Sequence, residues 1–383
     1  MMHLVYSSSV CNIAASAADG PHESLFRDRD QKHIEAGMVE ASFFSMDNVK
    51  RAHVVTERNY CERQLRGPLN HRGWVMQERF LAPRVLYFGS DQVVWECLTE
   101  NASEVFPLGR PGSSPVKRIN ALWNFVGPQP AAGTASMSDE LLSAWTSVIK
   151  EYASCELTYP TDKIFAMTGV AQVFAEISGD VFVAGMWKTR MASMFDWWIT
   201  EGGLMNPTPA TRLAKPVAPS FSWASVDGLL VLFRQSGYED LLETLEVIMP
   251  SDNQLASLRM RGRLFIMARN SRFAPCPGKV QTEPEYILSS SLQGDWGTDC
   301  EVPAPHTRFI AWDTNGDVPS DDEVVIVLSR RKLPQHLSGI FLVRCSSDEA
   351  EHKYRRVGYA DIRCDDDQFE KLLEVEPTDF IWI

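Results

Sequence analysis

Residues 67–98 read GPLNHRGWVMQERFLAPRVLYFGSDQVVWECL, and no other stretch of the chain carries so many local structural signals. Asn70 is placed to cap a short helix running through Arg72, Trp74, Gln77 and Leu81, because an Asn side chain there can accept from a free N–H of the first turn. Pro83 ends that helix, since the ring pushes the residue before it out of the helical region. A hairpin follows. Val85 and Tyr87 alternate with Leu86 and Phe88, Gly89-Ser90-Asp91 turns the chain, and Val93, Trp95 and Cys97 oppose Val94, Glu96 and Leu98. A helix carrying Gln77 and Glu78 beside a strand that opens on Arg84 is expected to gather amide, carboxylate and guanidinium. The gathering reads as a polar site, or as an ion pair between Glu78 and Arg84 that pins helix to hairpin.

Outward from this stretch the chain changes character twice. Residues 1–100 mix short pieces: Val10 to Ala15 suits a buried strand, and Ser7-Ser8-Ser9 ends any helix entering from upstream. Residues 101–215 read as helical. Ser138 caps a helix with Asp139 and Glu140 in its first turn and Leu141, Trp145, Val148 and Tyr152 on one face. A second helix is expected from Thr161 or Asp162 with Ile164, Met167, Ala171 and Phe174 as its stripe. A third carries Met191, Met194, Phe195 and Trp198 and stops at Gly202-Gly203. From 216 to 383 the period shifts toward two. Leu258 to Met260, Leu264 to Met267, Phe309 to Trp312, Val324 to Leu328, Ile340 to Val343 and Tyr354 to Tyr359 are expected strands of an antiparallel sheet. Residues 270–305 are expected as a surface excursion, and residues 365–379, with seven acids and one lysine, as a solvated acidic helix or tail. The fold class is α+β.

Composition narrows the function. At 383 residues the chain exceeds what one hydrophobic core usually organises. A formal charge of -13 opposes non-specific attachment to nucleic acid or anionic membrane. No apolar run approaches the roughly 18 residues of a membrane helix, and the N-terminus lacks a basic region ahead of its apolar residues. Eight cysteines lie far apart without a CxxC pair, which predicts reduced, mostly buried thiols of a cytoplasmic protein and no zinc knuckle. Asn101-Ala102-Ser103 is a glycosylation sequon by chance. No GxSxG, HExxH, P-loop or GxGxxG motif occurs. His71 with Cys97 lacks a group to orient the imidazole, so Cys97 reads as structural. Asp313 to Asp317 starts like a calcium loop but puts Val318 where glycine belongs, and reads as a hairpin connection. Between Lys50 and Arg84 eight basic residues face three acidic ones, a stretch open to a nucleotide ligand.

The residues RGWVMQERFLAPRVLYFGSDQVVWEC and the following NASEVFP resemble the signature of the fungal heterokaryon incompatibility (HET) domain, approximately R-G-W-x-x-Q-E-R-x-L-x-P-R-x-x-x-F followed by W-E-C and A-S-E. YPTDKIFAMTGV at 159–170, Phe182 to Trp198, PSFSWASVDG at 219–228 and Tyr354-Arg355-Arg356-Val357-Gly358 are similar to further family motifs, with Phe221 in place of a tryptophan. The resemblance makes Arg72, Gly73, Trp74, Gln77, Glu78, Arg84, Trp95, Glu96 and Cys97 motif residues whose role it does not supply. It implies residues 1–100 as the C-terminal remnant of a TIR-like α/β HET domain, 101–215 as a helical connector and 216–383 as a β-rich region. The family's opening strand motifs, L-S-Y-x-W-G and L-W-I-D-x-L-C-I-Q-Q, do not occur, so the chain is expected to begin after them, truncated and non-catalytic. The implied function is nonself recognition linked to programmed cell death, with a protein partner or self-association, no cofactor and no metal. NAD cleavage, as in TIR-like enzymes, is expected only of a longer form.

Overall fold

The computed structural model describes residues 2–30, 34–35, 37–41, 51–55, 67–109, 137–199, 210–228, 230–232, 238–249, 255–269, 286–291, 294–295, 305–320, 323–332, 336–345 and 352–383. The chain forms two compact units, Met1–Thr134 with Cys155–Gly179, and Ala135–Ser154 with Asp180–Ile383, so the stretch 101–215 is divided between them. Five α-helices are described: α1 (Met2–Ser7), α2 (Gly73–Leu81), α3 (Asp139–Ala153), α4 (Thr168–Ser178) and α5 (Asp366–Leu373). The class is α+β, rich in strand.

The first unit is organised by a four-stranded sheet in the order β1 (Asn12–Ala14), β4 (Arg84–Phe88), β5 (Val93–Cys97), β6 (Asn101–Ser103). The hairpin expected from the sequence is present, with Arg84 opposite Cys97 and Phe88 opposite Val93, and Gly89 N donating to Gln92 O closes the turn. Its alternation puts Val85, Tyr87, Val94 and Glu96 on the buried face. β1 runs parallel to β4, but it is shorter and more exposed than expected for Val10 to Ala15. Ala14 is buried, whereas Val10 is 82% and Ile13 62% exposed, because β1 lies at the sheet edge and Ile13 points away from the packed face. A separate hairpin joins β2 (Gly37–Ala41) to β3 (Arg51–Val55). Two helix starts differ from expectation. Asn70 lies within a 3-10 turn, Pro68–His71, and α2 begins after Arg72, its first N–H satisfied by Glu156 O at 2.8 Å in place of a side-chain cap. Residues 160–167 form two 3-10 turns, and α4 follows them, ending at Gly179 with φ +67.

In the second unit α3 matches its expected cap and stripe: Ser138 Oγ accepts from Leu141 N at 3.2 Å, and Leu141, Trp145, Val148 and Tyr152 are buried. The expected third helix is absent. Residues 188–194 make two 3-10 turns and the chain then extends into β9 (Trp197–Ile199), because the carbonyls of Phe195 and Trp197 serve as acceptors for Arg356 and leave the helical ladder. Three small pairings surround it: β7 (Phe182–Val183) with β8 (Met186–Trp187), β10 (Thr211–Arg212) with β11 (Val226–Asp227), and β9 with β12 (Leu230–Leu232). Gly185, at the β7 to β8 turn, has φ +94, and its carbonyl accepts from the indole N–H groups of both Trp145 (3.1 Å) and Trp223 (3.0 Å).

The main sheet contains β13 (Tyr238–Asp240), β14 (Glu243–Ile248), β15 (Ser257–Gly262), β16 (Leu264–Arg269), β17 (Tyr286–Ser291), β18 (Gly294–Asp295), β19 (His306–Trp312), β20 (Glu323–Lys332), β21 (His336–Arg344), β22 (Lys353–Arg363) and β23 (Thr378–Trp382). Six of these close on themselves: β20 pairs β21, β21 pairs β22, β22 pairs β19, β19 pairs β17, β17 pairs β16, and β16 returns to β20, all antiparallel. The weakest join is β17 to β19, where Ile287 opposite His306 is reinforced by Thr307 Oγ1, which accepts from Tyr286 N at 2.9 Å. Phe265, Met267, Tyr286, Trp312, Ile326 and Phe341 pack in the core that also receives Phe369 and Leu372 from α5.

Three expectations are corrected here. The 270–305 stretch includes β17, with Tyr286 fully buried, and its other residues apart from β18 and 305 lie outside the described set. Of the two forms expected for residues 365–379, the acidic helix is present as α5 with its carboxylates exposed, and the tail is not. Asp365 and Gln368 form a reciprocal capping box, Phe369 and Leu372 are buried, and β23 then pairs antiparallel with β15 and parallel with β22. Asp313 to Asp317 does not connect a hairpin, since β19 and β20 on either side of it pair with other strands. Among the described cysteines all five are free, yet only Cys364 is buried; Cys11, Cys97 and Cys155 are half-buried and Cys345 is exposed.

Candidate functional site

The motif residues of the first unit fan out from α2 in three directions. On one face Gln77, 2% exposed, accepts from Gly169 N through its amide oxygen at 2.9 Å and so fixes α2 to the start of α4. Gly73 is buried against Glu156 O, where the backbones of Arg72 and Glu156 form a bridge, and Trp74 meets the ring of Phe165 edge-on at 5.8 Å. On a second face Glu78 is hydrogen-bonded to Tyr6 of α1. Burial pushes the Glu78 carboxyl up against the opposing effects of Tyr6 and Arg72, and burial together with Glu78 pushes the Tyr6 phenol up to about 12.

The third direction holds the tie between helix and hairpin, and it is not the expected one. Arg79 donates from Nε (3.1 Å) and Nη2 (3.0 Å) to the two oxygens of Glu96, which is 1% exposed, and the Tyr87 hydroxyl donates to the same carboxylate. Gln77, Glu78 and Arg84 are not brought together. Arg84 is exposed at the start of β4 and donates to Val10 O at 3.3 Å. Trp95 is half-buried between Leu86 and Ala102 in register. Cys97 is not joined to His71; its sulfur lies 3.4 Å from Thr99 Oγ1. Burial raises the Cys97 thiol, but hydrogen bonds from Thr99, Glu100 and Trp95 outweigh it and hold the thiol below its usual range. Arg79 is itself the arginine of the Q-E-R part of the pattern, a signal that went unused, whereas Tyr87 falls at an unspecified position and had none. Of the Lys50 to Arg84 basic stretch, 50 and 56–66 lie outside the described residues, as do the side chains of 51–55.

A second polar cluster, in the second unit, was not foreseen. Arg356 is fully buried: Nε donates to Asp313 (3.0 Å to Oδ2), the two Nη groups donate to Phe195 O and Trp197 O, and the guanidinium lies 3.5 Å from the centre of the Trp197 ring. Arg212 donates to Asp313 and Asp317, both at 2.8 Å, and Arg355 donates to Asp317 at 2.7 Å. Burial raises the Asp313 carboxyl and lowers the Arg356 guanidinium, while each opposes the other's shift. Ser220 accepts from Arg356 N at 3.0 Å, so PSFSWASVDG, the Asp313 to Asp317 turn and Tyr354 to Gly358 meet in one network. Nearby, Asp196 is buried with Ser329 Oγ donating to it at 2.6 Å and Arg330 at 3.9 Å, and desolvation raises it. The sequence signal was Arg355-Arg356 directly before the uncharged run Val357 to Ala360: a buried charge needs a partner, and Asp313 and Asp317 supply it.

Among the described residues no three His, Cys, Asp or Glu side chains are grouped as metal ligands, and no helix is long and apolar enough to cross a membrane. No curated protein and no solved structure matches the chain. Residues 1–78, about a fifth of the chain, match the family described as Heterokaryon incompatibility protein (HET), a span that ends on the Arg72 to Glu78 motif. Over that segment the chain is similar to the heterokaryon incompatibility (HET) family.

Proposed function

We propose that the chain acts in fungal nonself recognition leading to growth arrest and cell death, and that as given it works by binding a protein partner and not by turnover. The observation that carries the reading is the family match over residues 1–78. The binding mode is supported by how the motif side chains are used: Gln77 holds Gly169, and Arg79 holds Glu96 with Tyr87, so these groups fix a scaffold. A TIR-like NAD-consuming enzyme, of which this chain is the supporting half, is the second reading. It draws on Glu78 of the motif, half-buried and hydrogen-bonded to Tyr6 of α1.

Inducible expression of the full chain in fungal cells, with growth and NAD followed together, separates the two. Growth arrest at unchanged NAD is expected. A fall in NAD that Glu78→Gln abolishes would replace the binding reading with the enzymatic one, and normal growth with the chain well expressed would remove both.

A further inference from the structure

The main sheet of the second unit ends on one side at β14, which pairs with β15 and has no strand beyond it among the described residues. A strand of 6 residues therefore presents one side of its backbone without a ladder partner. β14 is bulged: Thr244 lies opposite Met260 and Glu246 opposite Arg259, so Leu245 is the extra residue. The bulge brings Glu243 and Glu246 onto one exposed face, because their partners Arg261 and Arg259 share a face of β15.

Charge alternates across this face. Arg261 donates from Nε to Asp379 on β23 at 2.8 Å and stands 4.0 Å from Glu243, and Arg259 stands 3.9 Å from Glu246. Both rows end at the open edge on a carboxylate that is mostly exposed. Ile248 follows on the same face, in register with Ser257, and is exposed, as are Met249 and Leu255 where the hairpin turns back. Cross-strand pairs of opposite charge stabilise a sheet and like charges destabilise it. An edge that reads acid, acid, apolar therefore disfavours a second copy, which would set Glu against Glu, and favours a strand of complementary order. β15 shows what such a complement looks like: antiparallel to β14, it sets Arg259 and Arg261 against the two acids.

We infer that β14 is a docking edge for an extended basic segment of another protein. The segment adds to the sheet as an antiparallel strand, with an apolar residue against Ile248 and basic residues against Glu246 and Glu243. The chain's net charge of -13 draws a basic partner toward it. The inference rests on strand geometry in the second unit and not on the family match, so it holds or fails independently of the recognition role.

Fluorescence anisotropy of a labelled, end-capped peptide containing Val-Thr-Arg-Thr-Arg, titrated with the full chain, tests it. Binding that weakens as salt is raised is expected, with none by the counterpart in which Glu replaces both Arg residues. The double variant Glu243→Lys with Glu246→Lys, shown to fold by a thermal melt, is expected to lose at least about tenfold in affinity for the basic peptide. N-methylation of alternate peptide residues reads the backbone ladder in the wild-type chain: one phase is expected to abolish binding and the other to leave it. Absence of binding by the basic peptide, equal binding of both peptides, an affinity unchanged in the folded double variant, or indifference to N-methylation in both phases overturns the site. A chain that sediments as a dimer, and as a monomer once the double variant is made, assigns the edge to a second copy and overturns it as well.

Discussion

The two units solve the same problem, placing charge inside a protein, in opposite ways. In the first, one carboxylate, Glu96, is satisfied by one guanidinium and one phenol drawn from elements within 17 residues of it. In the second, three arginines and two aspartates are gathered from β10, the turn after β19, and β22, and Arg356 is sealed from water. A local pair can be lost with local damage. A network that spans separate segments makes each segment depend on the others, since removing one member leaves an uncompensated charge in a low-dielectric interior.

The sharpest way to break this contrast is Arg356→Met. It leaves the Phe195 and Trp197 carbonyls unmet and Asp313 with less compensation, and is expected to cost about 3 to 5 kcal/mol, melting the second unit while spectroscopic probes in the first persist. Equal loss of both units in urea would mean that they unfold as one. Gly185→Ala comes next, at about 2 to 3 kcal/mol, because φ is +94 and an added Cβ would lie 2.7 Å from the Trp223 indole nitrogen; its mark is a lowered thermal midpoint with changed tryptophan fluorescence. Glu96→Gln in the first unit is expected to cost about 2 kcal/mol, seen as earlier urea unfolding of the first unit alone.

Two smaller effects depend on pH. Cys97 is held low, whereas burial raises Cys345 and pushes Cys364 up to about 12. As the pH is raised toward 9, Cys97 is expected to be alkylated before both, as read by peptide mass mapping; simultaneous labelling would contradict the assigned hydrogen bonds. Glu78 has a folded pKa above its unfolded value. Its contribution is therefore present below the ordinary carboxylate range near 4 and declines as pH rises through the raised value. Glu78→Gln should flatten stability against pH in that window, and an unchanged profile would mean that Glu78 titrates normally.

What the sequence disclosed was local. The hairpin, the Ser138 cap and the period-two strands follow from turn chemistry, an N-cap and alternation, each decided within a few residues. Where a distant partner decided the outcome, the reading missed. Met191 to Trp198 has a helical stripe, yet Arg356 captures its carbonyls, and Trp198 stacks on Tyr359 at 5.0 Å. The acidic run at 365–379 looked solvated by composition, although Phe369, Leu372, Phe380 and Trp382 sit at buried positions within it and just beyond. At the candidate site, the sequence identified Glu96 but paired the wrong neighbours, because side-chain direction on α2 separates Glu78 from Arg79 by one residue and about 100°.

The Arg356 network also bears on how the chain reaches its fold. Its bonds to Phe195, Trp197 and Ser220 close loops of 161, 159 and 136 residues. Loop closure on that scale is entropically costly before any contact repays it, so the second unit is expected to fold slowly and late. During synthesis Asp313 and the aromatic segment from 195 to 223 must wait for β22 to emerge. Over that interval the nascent chain is a natural client for chaperones, and a cell that produces it quickly is expected to accumulate misfolded material first from this half.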